Sequence, residues 1–568
     1  MRSKRTPLSR NAAPYVSRLV AGQAGTAALY LGLVAWLTWP LAISLGTHVP
    51  APNMGWTFDA RFATWALAWE SHALVTAPTR LAHANIFHPT PYSLFYGPPG
   101  FGALPYFAPV FLATGNPALA INVTFLLSVA LTAWALHVVV RRWTGCNVAG
   151  FVAACTFLSN RWLLWTMPPS APQYSILQYF PLIILLASRV RVSAWLVPLV
   201  VFQSSAELLY TAPAVYTPLA VLALARLIRC ETRSGGRRLV GFLGLALLAL
   251  VPVAAGFLTV RGLTPHLDSQ SPHAFPADVA RPPLLFGVLG PTDVPTPALA
   301  VILLGGLAFL LRRRAAEPGV RTGWAHAALW AAVGIYIALP PRVLLDGWSL
   351  RLPQWWLPIT RYWRTTANLG TAGLMGLALL TGLAFAECAR LVSRPAVPAR
   401  LRPLARSALA ALLLGALYAA YQLGRDPIFP RPPLPSSYQL GVPLMPTSPL
   451  LAILRRPGGP LLELPAENII QAAQAMYRSI FHWRPLLNGY ASYWPEGFSE
   501  RMALARRLPD ADALATLRAE TDLELILVHA DPGAPKRAAW LELADRGGRE
   551  DLRLLARDGP DLLFIVAP

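Results

Sequence analysis

Apolar residues run along the first three quarters of this chain in long, nearly unbroken blocks separated by short arginine clusters. After residue 424 they give way to a finer mixture of apolar and charged positions. The first block begins near residue 24, "GTAALYLGLVAWLTWPLAISLG". It matches the roughly 20 residues that a helix needs to cross a bilayer and exceeds a signal-peptide core. With the basic "MRSKRTPLSR" ahead of it, it reads as an uncleaved anchor. Further blocks lie near 118–140, 146–161, 173–188, 193–207, 208–228, 239–260, 296–311, 323–340, 366–388 and 406–424. The pattern thus predicts about 11 spans. The block 101–115, "FGALPYFAPVFLATG", is short and contains proline, and is expected at the membrane interface.

With 101–115 so placed, the basic clusters alternate. The N-terminal tail, Arg141–Arg142, Arg189 with Arg191, Arg226 to Arg238, Arg312 to Arg321 and Arg390 to Arg406 hold 23 Arg and Lys on one side, against 9 in the opposite loops. Positive-inside bias makes the richer side cytoplasmic. The N-terminus is then expected in the cytoplasm, and the loops 46–117, 261–295 and 341–365 and everything after 424 outside. Composition agrees: 55% hydrophobic, 13% charged and 19 Trp, with a mean hydropathy of +0.45, mark a membrane chain. The net charge of +21 sits in the inter-span clusters, which argues against a nucleic-acid partner. Cys146, Cys230 and Cys388 fall at cytoplasmic ends and Cys155 within a span, so disulfides are not expected.

Of the 27 acids, 17 follow residue 424. A proline-rich linker, 425–445, precedes strand-like "GPLLELPA", "LELILVHA" and "DLLFIVAP", alternating with helical "ENIIQAAQAMYRS", "SERMALARRL" and "DALATLRAE". The expected fold class is therefore an all-α polytopic membrane protein spanning 1–424, with a small C-terminal α/β extracytoplasmic domain, 446–568.

Candidate chemistry concentrates in the loop 46–117. In "GWTFDARFATWALAWESHALV" the residues Phe58, Phe62, Trp65 and Trp69 share one helical face, which predicts a helix lying in the membrane interface. Asp59 and Glu70 lie on an adjoining face of small and acidic residues. A carboxylate in the first turn suits the helix dipole, so Asp59 has a plain structural explanation beside a catalytic one. Glu207 in "VFQSSAELLYTAP" is either a carboxylate at membrane depth, and then functional, or a turn residue. Asp278 is a further outer-loop acid. His88 and Tyr92 in "IFHPTPYS", and His482 and Arg484 in "SIFHWRPLLNGYASYWP", are candidate substrate contacts. Packing inside the C-terminal domain competes with that role for the last two. No pair of histidines has a recognisable ligand spacing, so a metal requirement is open.

The order of these features resembles the GT-C-type bacterial membrane glycosyltransferases, whose relatives include protein O-mannosyltransferases, aminoarabinose transferases and YfhO-type proteins. The carriers are "FDARFATWALAW", "ANIFHPTPYSL", "LATGNPALAINV", "RYWRTTANLGTAGLMGLALLTGLAFA" and "HWRPLLNGY". The resemblance implies a polyprenyl-phosphate sugar as donor, an envelope glycan, lipid or protein as acceptor, and a bacterial cytoplasmic-membrane location. It also implies that an acid in the first outer loop acts on the acceptor. Many members pair two acids there, whereas here Ala60 follows Asp59, which leaves Glu70 or Asp278 as the second. Chemically, the acceptor needs a base and the departing phosphate needs cations or a helix N-terminus. Arg361 and Arg364 in "PITRYWRTTANLG" supply the cations, unless they only snorkel at the interface. Two rival readings are a transporter or flippase of a lipid-linked substrate and a non-catalytic envelope-assembly protein.

Overall fold

A computed structural model describes residues 12–51, 57–263, 279–280, 290–339, 342–345, 348–351, 366–393, 398, 400–428, 432–441 and 449–567. Every one of the eleven apolar blocks contains a helix. The helices up to residue 263 are α1 (Ala12–Leu37), α2 (Thr57–Thr76), α3 (Leu104–Thr114), α4 (Pro117–Thr144), α5 (Asn147–Leu158), α6 (Arg161–Trp165), α7 (Met167–Ser170), α8 (Tyr179–Ala187), α9 (Leu196–Ala206), α10 (Thr211–Ile228) and α11 (Arg233–Leu263). Thr296–Arg312, Pro318–Ala338, Thr371–Leu391 and Arg402–Gln422 follow.

Among the described residues, six helices have the length and apolarity to cross a membrane. The pair α5 and α6, bent by 50°, makes a seventh. The expectation of about 11 spans is not reached on these terms. The blocks at 173–188 and 193–207 form helices of only 9 and 11 residues. At 1.5 Å per residue each covers about half of a 30 Å hydrocarbon core.

Local signals explain where helices begin. Asn116 accepts a hydrogen bond from the Leu119 N–H and Pro117 opens α4, a pairing of side-chain cap and first-turn proline. Asn160 does the same for α6 by accepting from the Leu163 N–H, which restarts the chain in a new direction after α5.

Thr371–Leu391 is the axis of the bundle. It is buried without interruption from Thr371 to Glu387 and touches Thr296–Arg312, Pro318–Ala338, α4 and α5. Small residues allow this: a Cβ on Gly334 would overlap the Gly373 backbone, and one on Gly376 would overlap Ala331. Such close backbone approach is how helices associate in a membrane, where lipid and apolar side chains attract equally. At one end of the axis, Glu387 accepts from Arg312 Nε and Nη2, both at 2.9 Å, and from Arg390 Nη1 at 2.7 Å.

The C-terminal region forms a five-stranded sheet of order β6 (Leu461–Leu464), β7 (Leu525–His529), β10 (Asp561–Val566), β9 (Leu552–Asp558), β8 (Gly548–Arg549). β6 and β7 are parallel and the other pairs antiparallel. A parallel pair needs a crossover; Ile469–Ser479, Phe498–Arg507 and Ala511–Thr521 provide it. Of the remaining strands, β2 (Val279–Ala280), β3 (Arg342–Leu345) and β4 (Trp348–Arg351) form a small three-stranded sheet.

Backbone pairing joins the C-terminal region to the 46–117 segment. β1 (Val49–Pro50) pairs with β5 (Leu440–Gly441). The Leu486 N–H donates to Asn85 O at 2.8 Å, the His88 N–H to Leu486 O at 3.0 Å and the Phe87 N–H to Asn488 O at 3.2 Å. These bonds bring residues almost 400 positions apart into one site.

Candidate functional site

The centre of the site is the first turn of α2. Asp59 stands there half-buried, and its Oδ1 accepts a 2.7 Å hydrogen bond from the Tyr490 hydroxyl. Phe58 and Phe62 meet the Tyr490 ring edge-on, at 5.3 and 6.3 Å. Asp59 is also within electrostatic reach of Tyr174. The Tyr174 ring contacts those of Trp162 and Tyr210. Trp162 Nε1 donates to Asn368 Oδ1 at 3.3 Å, so the turn Thr366–Gly370, which follows Arg361 and Arg364 in sequence, belongs to the same neighbourhood.

The aromatic stripe of α2 does not lie on lipid, which corrects the interfacial-helix expectation. Phe62, Trp65 and Trp69 are all buried. Trp65 Nε1 donates to Asn85 Oδ1, Trp69 Nε1 donates to Leu81 O, and Trp483 packs against Trp69. One face of aromatics serves equally well to bind a bilayer or a protein partner. Here the partner is the C-terminal segment, folded back over the helix.

Glu70 is fully buried and its Oε1 accepts from the Gly100 N–H at 2.8 Å, while Oε2 has no partner. Burial pushes its carboxyl up to about 8, with the Gly100 bond a smaller opposing effect. Eleven residues separate Glu70 from Asp59, about 16 Å along the helix axis. The two carboxylates therefore do not form a pair at one acceptor. Glu207 is likewise fully buried, and its Oε2 accepts from the Tyr210 N–H at 2.6 Å at the entry to α10. It takes the turn role.

His482 and Arg484 are committed to packing. The His482 side chain is 1% exposed, and its Nδ1 accepts from the Arg484 N–H. Burial holds the imidazole down to about 4 against the upward pull of Glu463. Arg484 donates to Leu454 O at 2.8 Å and Gly459 O at 3.1 Å. His88 is half-buried, which lowers its imidazole below the ordinary value. Tyr92 is left-handed, with φ 55°, and its N–H donates to His83 Nδ1. Asp278, Arg361 and Arg364 lie outside the described residues.

The segment 479–495, with Tyr490 in it, reads from the sequence as a contact to the acceptor or the membrane half or as domain core, but its link to Asp59 does not. One group at the site escaped the sequence reading. Arg61 lay within "FDARF", but positions i and i+2 do not share a helix face. Arg61 lines a cavity of about 120 Å³ with Ala60, Thr64, Asn122 and Tyr477. Its Nη1, the Asn122 Oδ1 and the Tyr477 hydroxyl are buried there without partners. Burial lowers the Arg61 pKa and nearby Arg478 lowers it further. An apolar cavity of about 150 Å³ holds a benzene, so this one has room for a phosphate-sized anion, although Val49, Ile121, Phe125 and four prolines make most of its wall apolar. No group of three or more His, Cys, Asp or Glu forms a metal site among the described residues.

Long apolar helices around a buried axis mark a multi-pass membrane protein, and its fold is similar to that of a solved membrane glycosyltransferase. Among solved structures, 99% of the chain matches arabinofuranosyltransferase AftD from Mycobacteria, with a TM-score of 0.53 and 16% identity. The chain covers 40% of the AftD length. Lower similarity is found to the oligosaccharyltransferase of Archaeoglobus fulgidus in its apo form (TM-score 0.41, 11% identity, 92% of this chain and 72% of that one). The same holds for AglB from that organism in complex with an inhibitory peptide and a dolichol-phosphate (0.42, 10%, 92% and 72%). No protein-family model and no curated protein matches the chain.

Proposed function

We propose that this protein is an integral-membrane glycosyltransferase that moves a sugar from a polyprenyl-phosphate donor to an envelope acceptor at the outer face of the bacterial cytoplasmic membrane. The observation that carries this reading is Asp59, held half-exposed by the Tyr490 hydroxyl within a fold shared with AftD. The acceptor oxygen attacks the anomeric carbon and its proton passes to Asp59. The bond from that carbon to the lipid phosphate oxygen breaks, and polyprenyl phosphate leaves with the electron pair. Tyr490 keeps the carboxylate oriented, and Phe58 and Phe62 wall it from water on one side. Arg361 and Arg364 are the proposed ligands of the departing phosphate, since guanidinium groups match its oxygens in bidentate fashion. Arg61, with its unpartnered Nη1, adds a third cation beside the first turn of α2.

The test is transfer from a polyprenyl-phosphate sugar by the purified chain in nanodiscs, followed by mass spectrometry of the acceptor. Asp59→Asn keeps size and helix-start geometry but takes no proton, so turnover should fall about a hundredfold to ten-thousandfold. Tyr490→Phe should cost less, because it removes only the orienting bond. Alanine at Arg361 or Arg364 should raise donor KM. An Asp59→Asn variant with more than half of wild-type turnover would exclude Asp59 as the base.

A further inference from the structure

Away from Asp59, the far half of α2 borders a second concavity. A cleft of about 660 Å³ opens between residues 69–91 and the segments 455–458 and 482–485. Trp69, ten residues beyond Asp59, lines it, which puts it about 15 Å farther along the helix. Its polar lining is mostly cationic or imidazole, with Arg80, Arg455, Arg456, His72, His83 and His88 beside the neutral Asn85 and Thr90. No carboxylate lines it among the described residues.

Arginines without a carboxylate partner occur elsewhere too, since Arg518 and Arg537 donate to backbone carbonyls, but at the cleft three stand together. Elsewhere in the C-terminal region Arg478, Arg506, Arg507, Arg546, Arg549 and Arg557 each sit beside a carboxylate. At the cleft, Arg80, Arg455 and Arg456 are exposed and have no acidic partner among the described residues. Two carboxylates stand behind the wall: Glu524 is taken by Arg484 at 3.6 Å and by the Gly459 N–H, and buried Glu463, 4.0 Å from His482, pairs with Arg478. Clustered cations without acids repel one another and raise the local concentration of anions. His83 accepts the Tyr92 N–H at Nδ1, so its other nitrogen carries the proton and donates. A flat shelf completes the cleft: the His72 and Trp483 rings stack at 4.2 Å and 7°. Trp483 is held at φ 58°, a strained conformation for a non-glycine residue that persists where surrounding packing dictates it.

We propose that this cleft binds an acidic stretch of the acceptor glycan, with sugar carboxylates or phosphodiesters against the three arginines and a sugar face on the Trp483–His72 shelf. The assignment of that glycan as acceptor rests on the glycosyl-transfer reading above. A volume of this order is that of a small-ligand site. The concave shape and the aromatic floor fit a polymer segment better than a membrane surface, which requires an exposed apolar face.

The experiment measures binding rather than turnover. The full chain in nanodiscs of zwitterionic lipid is titrated with fluorescent hexameric oligogalacturonate. Neutral maltohexaose, inorganic phosphate and phosphatidylglycerol vesicles are the comparison probes. Oligogalacturonate should bind and weaken with salt, and maltohexaose and phosphate should not displace it at equal concentration. The triple variant Arg80→Gln, Arg455→Gln, Arg456→Gln should bind about tenfold more weakly. The corresponding triple Lys variant should retain most binding, and Asp59→Asn should bind as wild type. Equal binding of maltohexaose, binding unchanged in the Gln variant, or vesicle binding without oligosaccharide binding would each overturn the proposal. Wild-type chain that binds the probe but transfers no sugar would refute the catalytic reading and leave the acidic-glycan site standing.

Discussion

At the scale of single residues, Glu70 and Asp59 show how one helix gives two carboxylates opposite surroundings. Asp59 is half-exposed and bonded to a hydroxyl; Glu70 is sealed, with one oxygen on the Gly100 N–H. Burial raises the Glu70 carboxyl to about 8, so it is neutral at pH 7 and fastens the 97–100 loop to α2. The folded pKa lies above the unfolded one. Its stabilising contribution is therefore complete below about 4.5 and is lost as pH rises through about 8. Gln reproduces the protonated acid. Glu70→Gln should keep most transfer activity, and its thermal midpoint should decline less than that of wild type between pH 5 and 8, measured by differential scanning fluorimetry. Abolished transfer in a folded Glu70→Gln chain would return this residue to the catalytic list.

Among elements, the axial helix and the C-terminal sheet rest on different physics. Thr371–Leu391 is held by backbone approach through Gly334, Gly373 and Gly376. Gly376→Leu must displace Ala331 and separate two helices, an overpacking that costs typically 1–3 kcal/mol. We expect a lower thermal midpoint and poor accumulation of the variant, read by fluorescence-detected size exclusion. Leu at Gly415, where a Cβ meets nothing within 4 Å, is the matched control. In the sheet, Glu463 on β6 is buried, which alone raises its carboxyl, but Arg478 at 2.6 Å and then His529 hold it down to about 2. Burial lowers His529, yet its hydrogen bonds to Asp561 at 2.7 Å and Glu463 outweigh that and raise it. The Glu463 contribution is present above its unfolded pKa and lost as pH falls through about 2. That of His529 is present below about 6.5 and lost as pH rises through its raised folded value. Amide protection on β7 should therefore fall on the alkaline side, and Asp561→Asn should move that fall to lower pH.

For the whole molecule, the 46–117 segment and the C-terminal region form one unit through β1–β5 and the 85–88 to 486–488 pairing. If the charge bias sets orientation, both lie outside the cytoplasmic membrane. A reporter active only in the oxidising compartment, fused after residue 568, should then be active, and a cytoplasmic reporter silent. The reverse result would put Asp59 and the sheet on the cytoplasmic side and remove the proposed donor side of the reaction.

The chain's own pattern determined its membrane class, the presence of a helix in each of the eleven apolar blocks, and the strands 461–464, 525–529 and 561–566, because these depend on periodicity and on signals a few residues long. The strand Leu552–Asp558 and the helix Arg537–Asp545 escaped notice, since their charged positions dilute the apolar period. The place of Asp59 as a lone acid in the first turn of a helix was legible. Its partner was not, because Tyr490 lies 431 residues away and no local rule relates them. The fates of Phe62, Trp65, Trp69, Glu70, Glu207 and His482 were decided by tertiary structure alone. An aromatic stripe seeks any apolar surface, and a carboxylate takes its role from the groups that enclose it; only the folded chain specifies which surface and which groups those are.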